Sequence, residues 1–407
     1  MSSAKYVILG GGMVAGYAAK ELATRGLRAG ELVIVSADKN LPYERPPLSK
    51  GFLAGKETEA GILINGADWY REQGIDVRLE TSVETADLRN RRLRTSSGEI
   101  GFETLLIATG ARPRKLTCPG NQLANVFYLR SMQDSEAIRA RAATAKQAVV
   151  IGGGFIGMEV SAVLAQKNIH TTMVVREDRV WSRAFTPAMS DFFERYYAAR
   201  GVQIVKHANV AALEGKNGVT AVVLEGGRKI SSDIVVAGVG AEPVTELFAN
   251  REISADNGIV VNEYLETSVP AVYAAGDVAN YPDIIFGKRR RVEHWDNAVS
   301  QGQHWAHVIG GDRQSFVHVP YFFSDVFDLS YELWGDSSEA TEAVVRGEME
   351  KSSFSVWWLK NAQLVAAFTM NRPDEEREAA PEWIKNKQNL AAKKLADHRM
   401  ALREVVR

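Results

Sequence analysis

Hydrophobic positions in this chain come in short unbroken runs, and several of the runs stop at glycine. Residues 6–9 run into Gly10, Gly11 and Gly12; 142 residues further on, residues 148–151 run into Gly152, Gly153 and Gly154. After each triple glycine the apolar positions return at helical spacing, over 17–25 and 159–166, and a second short apolar run follows at 32–36 and 171–175. Strand, tight turn, helix and second strand make a βαβ unit, so the repeat predicts two of them. Three more apolar runs lead into glycine, over 104–110, 233–240 and 270–277. Runs of this kind suit parallel strands covered on both faces. The last of them lies beyond the second unit, so the chain is expected to return late to the first sheet, with the second unit as an insertion.

Beyond about residue 315 the pattern becomes alternating and aromatic, as in Ser-Ser-Phe-Ser-Val-Trp-Trp-Leu over 352–359 and Gln-Leu-Val-Ala-Ala-Phe over 363–368. This predicts antiparallel strands with a turn at Lys360 and Asn361. Charged residues with apolar positions at helical spacing then predict one or two surface helices over 374–407. The fold class expected is α/β: two doubly wound, Rossmann-like nucleotide-binding domains and a smaller C-terminal α+β domain. The boundaries expected are 1–120 with 245–315 for the first domain, 121–244 for the second and 316–407 for the third.

Composition narrows the function classes. At 407 residues the chain exceeds one ordinary core, given roughly 100–200 residues per domain. Its 49 basic and 50 acidic residues give a formal charge of −1, so no global field favours nucleic acid or an anionic membrane. Cys118 is the one cysteine, which excludes an intrachain disulfide, a cysteine zinc site and an internal dithiol relay. No metal site is expected. No apolar stretch has the length of a membrane span, and the first strand meets its glycine turn too early for a signal-peptide core. A reducing cytoplasm is the expected compartment, with the protein a monomer or homodimer.

The glycine turns carry the first chemistry. Gly10, Gly12 and Ala15 match G-x-G-x-x-G/A between a strand and a helix. The first glycine permits the turn, the second lets backbone approach a pyrophosphate, and the small third residue lets helix pack on strand. The helix N-terminus then offers N–H groups and a positive dipole end to phosphate. Asp38, after the second strand, is placed to accept hydrogen bonds from ribose hydroxyls. Gly152, Gly154 and Gly157 repeat the motif, and Glu177 follows their second strand. A carboxylate there binds an unphosphorylated ribose and repels a 2′-phosphate, while Arg176 pulls the other way; NAD(H) is expected over NADP(H). Two dinucleotide sites in one chain point to a held cofactor and an exchanging one, as in a flavoenzyme reduced by a nicotinamide.

Further motifs carry a resemblance. Pro-Tyr-Glu-Arg-Pro-Pro-Leu-Ser-Lys at 42–50, Ala108-Thr109-Gly110, Gly-Val-Gly-Ala-Glu-Pro at 238–243, Tyr-Ala-Ala-Gly-Asp at 273–277 and Val292-Glu293-His294-Trp295 resemble the FAD-dependent pyridine nucleotide oxidoreductases of the ferredoxin reductase branch. That branch includes monodehydroascorbate reductases and apoptosis-inducing factor. The resemblance implies a glutathione-reductase-like architecture, FAD in the first domain, NAD(H) in the second, and a C-terminal domain covering the flavin. It implies that Arg45 meets the FAD pyrophosphate, that Lys50 lies by the flavin and pairs with Glu159, and that Asp277, after Gly276, binds ribityl hydroxyls. Glu293, His294 and Trp295 would border the isoalloxazine. The Ala108–Gly110 and Gly240 turns would also line the cofactors. Lys50, Glu159 and Trp295 are the candidate catalytic residues.

The disulfide reductases of the same superfamily carry a cysteine pair that residues 42–50 lack, so electrons are expected to leave the flavin directly, one at a time. Stretches such as Pro-Tyr-Phe-Phe-Ser at 320–324 resemble monodehydroascorbate reductase, but Val299 and Phe323 stand where that family has an arginine and a tyrosine. Trp295 and Phe323 would instead give an apolar wall. Lys288, Arg289, Arg290 and Arg291 form a basic run that could dock a small acidic ferredoxin or rubredoxin. The acceptor expected is therefore an iron–sulfur protein; the alternatives are a radical or quinone-like small molecule, and an NADH-sensing interaction protein of the apoptosis-inducing-factor type. The purified protein is expected to be yellow, with about one FAD per chain; a colourless preparation that cannot be reconstituted with FAD overturns this reading.

Overall fold

The computed structural model describes residues 2–248 and 253–406; residues 249–252, which fall within the 245–315 stretch, and Arg407 lie outside the described residues. Four helices carry or brace the residues of interest: α1 (Met13–Thr24), α2 (Phe155–Gln166), α3 (Trp295–Ile309) and α4 (Asp374–Lys385). The chain forms two compact units. One comprises Met1–Arg45, Glu59–Arg112 and Ala241–Pro320, the other Pro46–Thr58, Pro113–Gly240 and Tyr321–Arg407.

In the first unit, Asp76–Arg78, Leu32–Val35, Ser2–Leu9 and Gly98–Ile107 lie side by side in parallel. Tyr6 sits opposite both Leu32 and Thr104, and Leu9 opposite Val35 and Ile107. The late return is present: Val272–Ala274 pairs in parallel with Gly98–Ile107, with Val272 opposite Leu105. Val7, Ile8, Ile34, Leu105 and Leu106 are fully buried, which is why these strands read as unbroken apolar runs. Helices α1 and α3 pack closely because small residues meet. Ala15, Ala18 and Ala19 are fully buried, and a Cβ at Gly302 would stand 2.8 Å from the Val14 carbonyl oxygen.

In the second unit, Val202–Val205, His170–Val174, Gln147–Ile151, Ile234–Ala237 and Val126–Phe127 form a parallel sheet in that order. The C-terminal segment makes a five-stranded antiparallel sheet: Tyr321–Val326, Leu329–Gly335, Gln363–Met370, Ser353–Lys360 and Glu342–Glu348. The turn between its two longest strands falls one residue later than expected, at Asn361 and Ala362, both with positive φ. An aromatic cluster that includes Trp181, Phe185, Phe193, Tyr331, Phe354 and Phe368 joins the two sheets in one core.

The C-terminal stretch contains α4 and a short helix, Ala392–Ala396, yet it is less of a surface feature than its charge implied. Glu376 of α4 and Arg346 of the edge strand are buried and paired at 3.0 Å, and Arg372 joins the same carboxylate at 2.6 Å. Arg346 also donates to the carbonyls of Leu395, Asp397 and Met400 at 3.1, 2.6 and 2.7 Å. Replacing it strands those oxygens. Arg346→Met should lower unfolding stability by about 3 kcal/mol, measured by denaturant titration; a loss under about 1 kcal/mol would show the anchor to be no stronger than a surface pair.

Candidate functional site

The first glycine turn is crowded on one side and open on the other. Gly10 has φ 122°, and a Cβ there would lie 2.2 Å from the Ala108 carbonyl oxygen. Gly12 caps α1 with no side chain, and the group its Cβ would face is the Arg45 guanidinium, 3.7 Å away. Backbone N–H groups, the helix dipole and an arginine therefore converge at one end of α1. The Asp38 carboxylate accepts the Asn40 N–H and the Tyr43 hydroxyl, each at 3.1 Å, which fixes its direction. Thr109 donates to the Val244 carbonyl at 2.7 Å, and Val244 donates back to Gly110 at 2.9 Å. Gly276, φ 78°, donates its N–H to Gln301 at 2.7 Å, and the Asp277 carbonyl accepts from Arg291 at 3.0 Å. His294 caps α3, Glu293 pairs with Arg291, and Trp295 is the first residue of the helix.

The second turn repeats this arrangement within its own unit. Gly152 has φ 118° with its would-be Cβ 2.2 Å from the Gly238 carbonyl oxygen, and a Cβ at Gly157 would be 1.9 Å from the Gly152 carbonyl oxygen. Gly154 caps α2 and faces open space, with nothing within 4 Å of its would-be Cβ. Gly240, φ 103°, sits beside Arg114. Glu177 pairs with Arg176 at 2.9 Å, so the two residues read as opposing specificity signals are joined to each other. Burial pushes the Cys118 thiol up, as suits a packed and inert side chain.

Lys50, Glu159 and Phe323 come together in the second unit. Lys50 Nζ is 3.2 Å from Glu159 Oε1 and stands over the Phe323 ring, 4.7 Å from its centroid. Glu159 is only 5% exposed, yet its oxygens are supplied with donors: Ser49 Oγ on one, Ser324 Oγ at 2.5 Å on the other. Sequence reasoning missed both serines, although each lies inside a motif that carried the resemblance. It also missed Glu44, which accepts the Trp295 indole N–H and the Tyr17 hydroxyl, each at 2.5 Å.

The basic run needs correction as a patch of four available cations. Arg290 turns inward to Asp283 at 3.0 Å, and Arg291 is 8% exposed and bound to Glu293. Arg289 is exposed but donates to the Val261 carbonyl at 2.9 Å. Among the described residues there is no cluster of three or more His, Cys, Asp or Glu side chains able to hold a metal, and no helix long and apolar enough to cross a membrane.

The two turns fit a dinucleotide: each presents a helix N-terminus with no side-chain cap, and a glycine at each closes the turn against a neighbouring carbonyl. The pyridine nucleotide-disulphide oxidoreductase family model matches residues 4–302, and a reductase C-terminal model matches 321–406. The chain belongs to the pyridine nucleotide-disulphide oxidoreductase family. It is 40% identical to the seedling isozyme of monodehydroascorbate reductase from Cucumis sativus, over 92% of each chain, and 39% identical to a peroxisomal monodehydroascorbate reductase from Arabidopsis thaliana, over 92% of this chain and 80% of that one. It is also similar to the reductase of a putidaredoxin reductase–putidaredoxin complex, with a TM-score of 0.94 at 31% identity over 99% and 98% of the two chains. A ferredoxin reductase from Rhodopseudomonas palustris gives the same TM-score at 29% identity, over 99% of each.

Family members use FAD and NAD(P)H, and the chain is an FAD-dependent NAD(P)H oxidoreductase. It departs from the family's name in one respect: with Cys118 alone it has no redox-active cysteine pair. Gly157→Ala should weaken NADH binding by at least about tenfold while FAD content stays near that of the wild type, because the added methyl collides only at the second turn. Equilibrium titration with NADH and a flavin absorbance count check it; parallel loss of both cofactors would refute separate sites.

Proposed function

We propose that this protein takes hydride from NADH and passes single electrons to a small iron–sulfur protein. The FAD domain would be 1–120 with 245–315, the NAD(H) domain 121–244, and the C-terminal domain 316–407. FAD held in the first of these would supply the chemistry that converts a hydride, two electrons with a proton, into single electrons, the proton going to solvent. The residues of the chain do the rest. The turn at Gly10, Gly12 and Ala15, with Arg45, would hold the FAD pyrophosphate and Asp38 its ribose. Ala108, Thr109, Gly110, Gly276 and Asp277 would hold the rest of that cofactor.

The turn at Gly152, Gly154 and Gly157 would hold the NADH pyrophosphate, with Gly240 beside it, while Glu177 prefers a ribose without phosphate. Lys50 would supply positive charge to the flavin, with Glu159 fixing its ammonium. The Glu293 and His294 backbone and the Trp295 ring would border the ring system, and Phe323 would supply apolar surface.

The observation that carries the choice of acceptor is Val299: it is buried in α3 and uncharged, where a small anionic radical would call for a cation. Similarity to a reductase solved with putidaredoxin supports the same choice. An acidic carrier would meet Lys288 and Arg289 rather than the whole basic run, because Arg290 and Arg291 are turned inward. The second reading is reduction of monodehydroascorbate or a related small molecule, favoured by 40% identity to the cucumber enzyme. A cytoplasmic location fits the single cysteine, with peroxisomal relatives as the alternative.

NADH-dependent cytochrome c reduction should rise at least about tenfold when an acidic [2Fe–2S] ferredoxin is added. Turnover with the enzymatically generated ascorbate radical should be slow, and Val299→Arg with Phe323→Tyr should raise it. Rapid wild-type turnover of the radical, with no stimulation by ferredoxin, overturns the first reading in favour of the second.

A further inference from the structure

Trp295 opens α3 directly after its His294 cap, and its indole is fixed from two sides. The Nε1–H donates to Glu44 Oε2 at 2.5 Å, and the ring meets Tyr17 edge-on, with centroids 6.4 Å apart and planes at 89°. Tyr17, on α1, donates its hydroxyl to the other Glu44 oxygen at 2.5 Å. The backbone under Glu44 is itself pinned, since Glu44 N–H donates to the Ile62 carbonyl at 2.8 Å and Ile64 N–H to the Pro42 carbonyl at 3.0 Å. One carboxylate therefore ties α1, the loop after Asp38 and the start of α3 together.

Both of its side-chain partners are donors. An indole N–H cannot accept, and the Tyr17 phenol is held above its usual range by burial and by Glu44, so it keeps its proton. Only a carboxylate serves both.

We propose that Glu44 is a positioning residue that sets the orientation of the Trp295 ring at the flavin, with Tyr17 as its second tether. This rests on the proposed place of Trp295 beside the flavin ring system. Glutamine is not a conservative replacement here, because an amide has one oxygen and would turn its NH2 against one of the two donors. Tyr17→Phe, by contrast, removes one donor and leaves the indole bond in place.

The test uses the FAD holoenzyme and the variants E44Q, Y17F, W295F and E44Q/W295F. The Trp295 indole N–H resonance, assigned by its loss in W295F, should move upfield in E44Q and little in Y17F. In E44Q the visible circular dichroism of the flavin should change, and kcat for NADH-dependent cytochrome c reduction should fall about tenfold with KM for NADH within about twofold. The double variant should lose no more than W295F. An unmoved indole resonance in E44Q overturns the tether. A moved resonance with unchanged dichroism and kcat, or losses that multiply in the double variant, overturns the positioning role. A wild type that binds no FAD refutes the cofactor reading instead, and the resonance measured on that apoprotein still decides the tether.

Discussion

A side chain at position 10 or 152 would put its first carbon 2.2 Å from a neighbouring carbonyl oxygen, and much of the molecule depends on this exclusion. Each strand can pass that close to its neighbour only without a Cβ, and only there does the chain turn sharply enough to aim a helix N-terminus at the end of the sheet. The same steric rule acts at Gly157, where helix leans on turn, and at Gly302, where α3 closes on α1. Small residues thus set the geometry, and the polar groups around them inherit it.

Charge inside the second unit shows a different kind of order. Glu159 is buried, a costly place for a carboxylate unless both oxygens are given donors. Ser49 and Lys50, neighbours in the chain, and Ser324 from the first strand of the antiparallel sheet meet that demand. Taking Lys50 away would leave the buried carboxylate with two hydroxyls alone, so the ammonium has a structural part inside this unit.

The parts of this arrangement that were legible in the sequence are those whose physics is local. A strand, three glycines and a helix follow one another directly in the chain, over 2–24 and again over 147–166, and the pattern of apolar runs ending in glycine exposed both turns and the late return of 270–277 to the first sheet. Contacts made by folding were legible only where the resemblance supplied them, as for Lys50 and Glu159. Trp295 finds Glu44 across 251 residues and Ser324 finds Glu159 across 165, and although these residues lie in or beside recognisable motifs, neither motif names its partner. The run at 288–291 was only partly legible for the same reason, since sequence records that four cations are adjacent but not that Asp283 and Glu293 draw two of them inward.

Arg346 reads the C-terminal stretch through main-chain oxygens, at residues 395, 397 and 400. Every amino acid carries that oxygen. Apart from Glu376, whose carboxylate holds the same guanidinium, the anchor asks for no particular side chain along this stretch, whereas its length cannot change, because one inserted or deleted residue would shift the carbonyls out of register with a guanidinium whose directions are rigid.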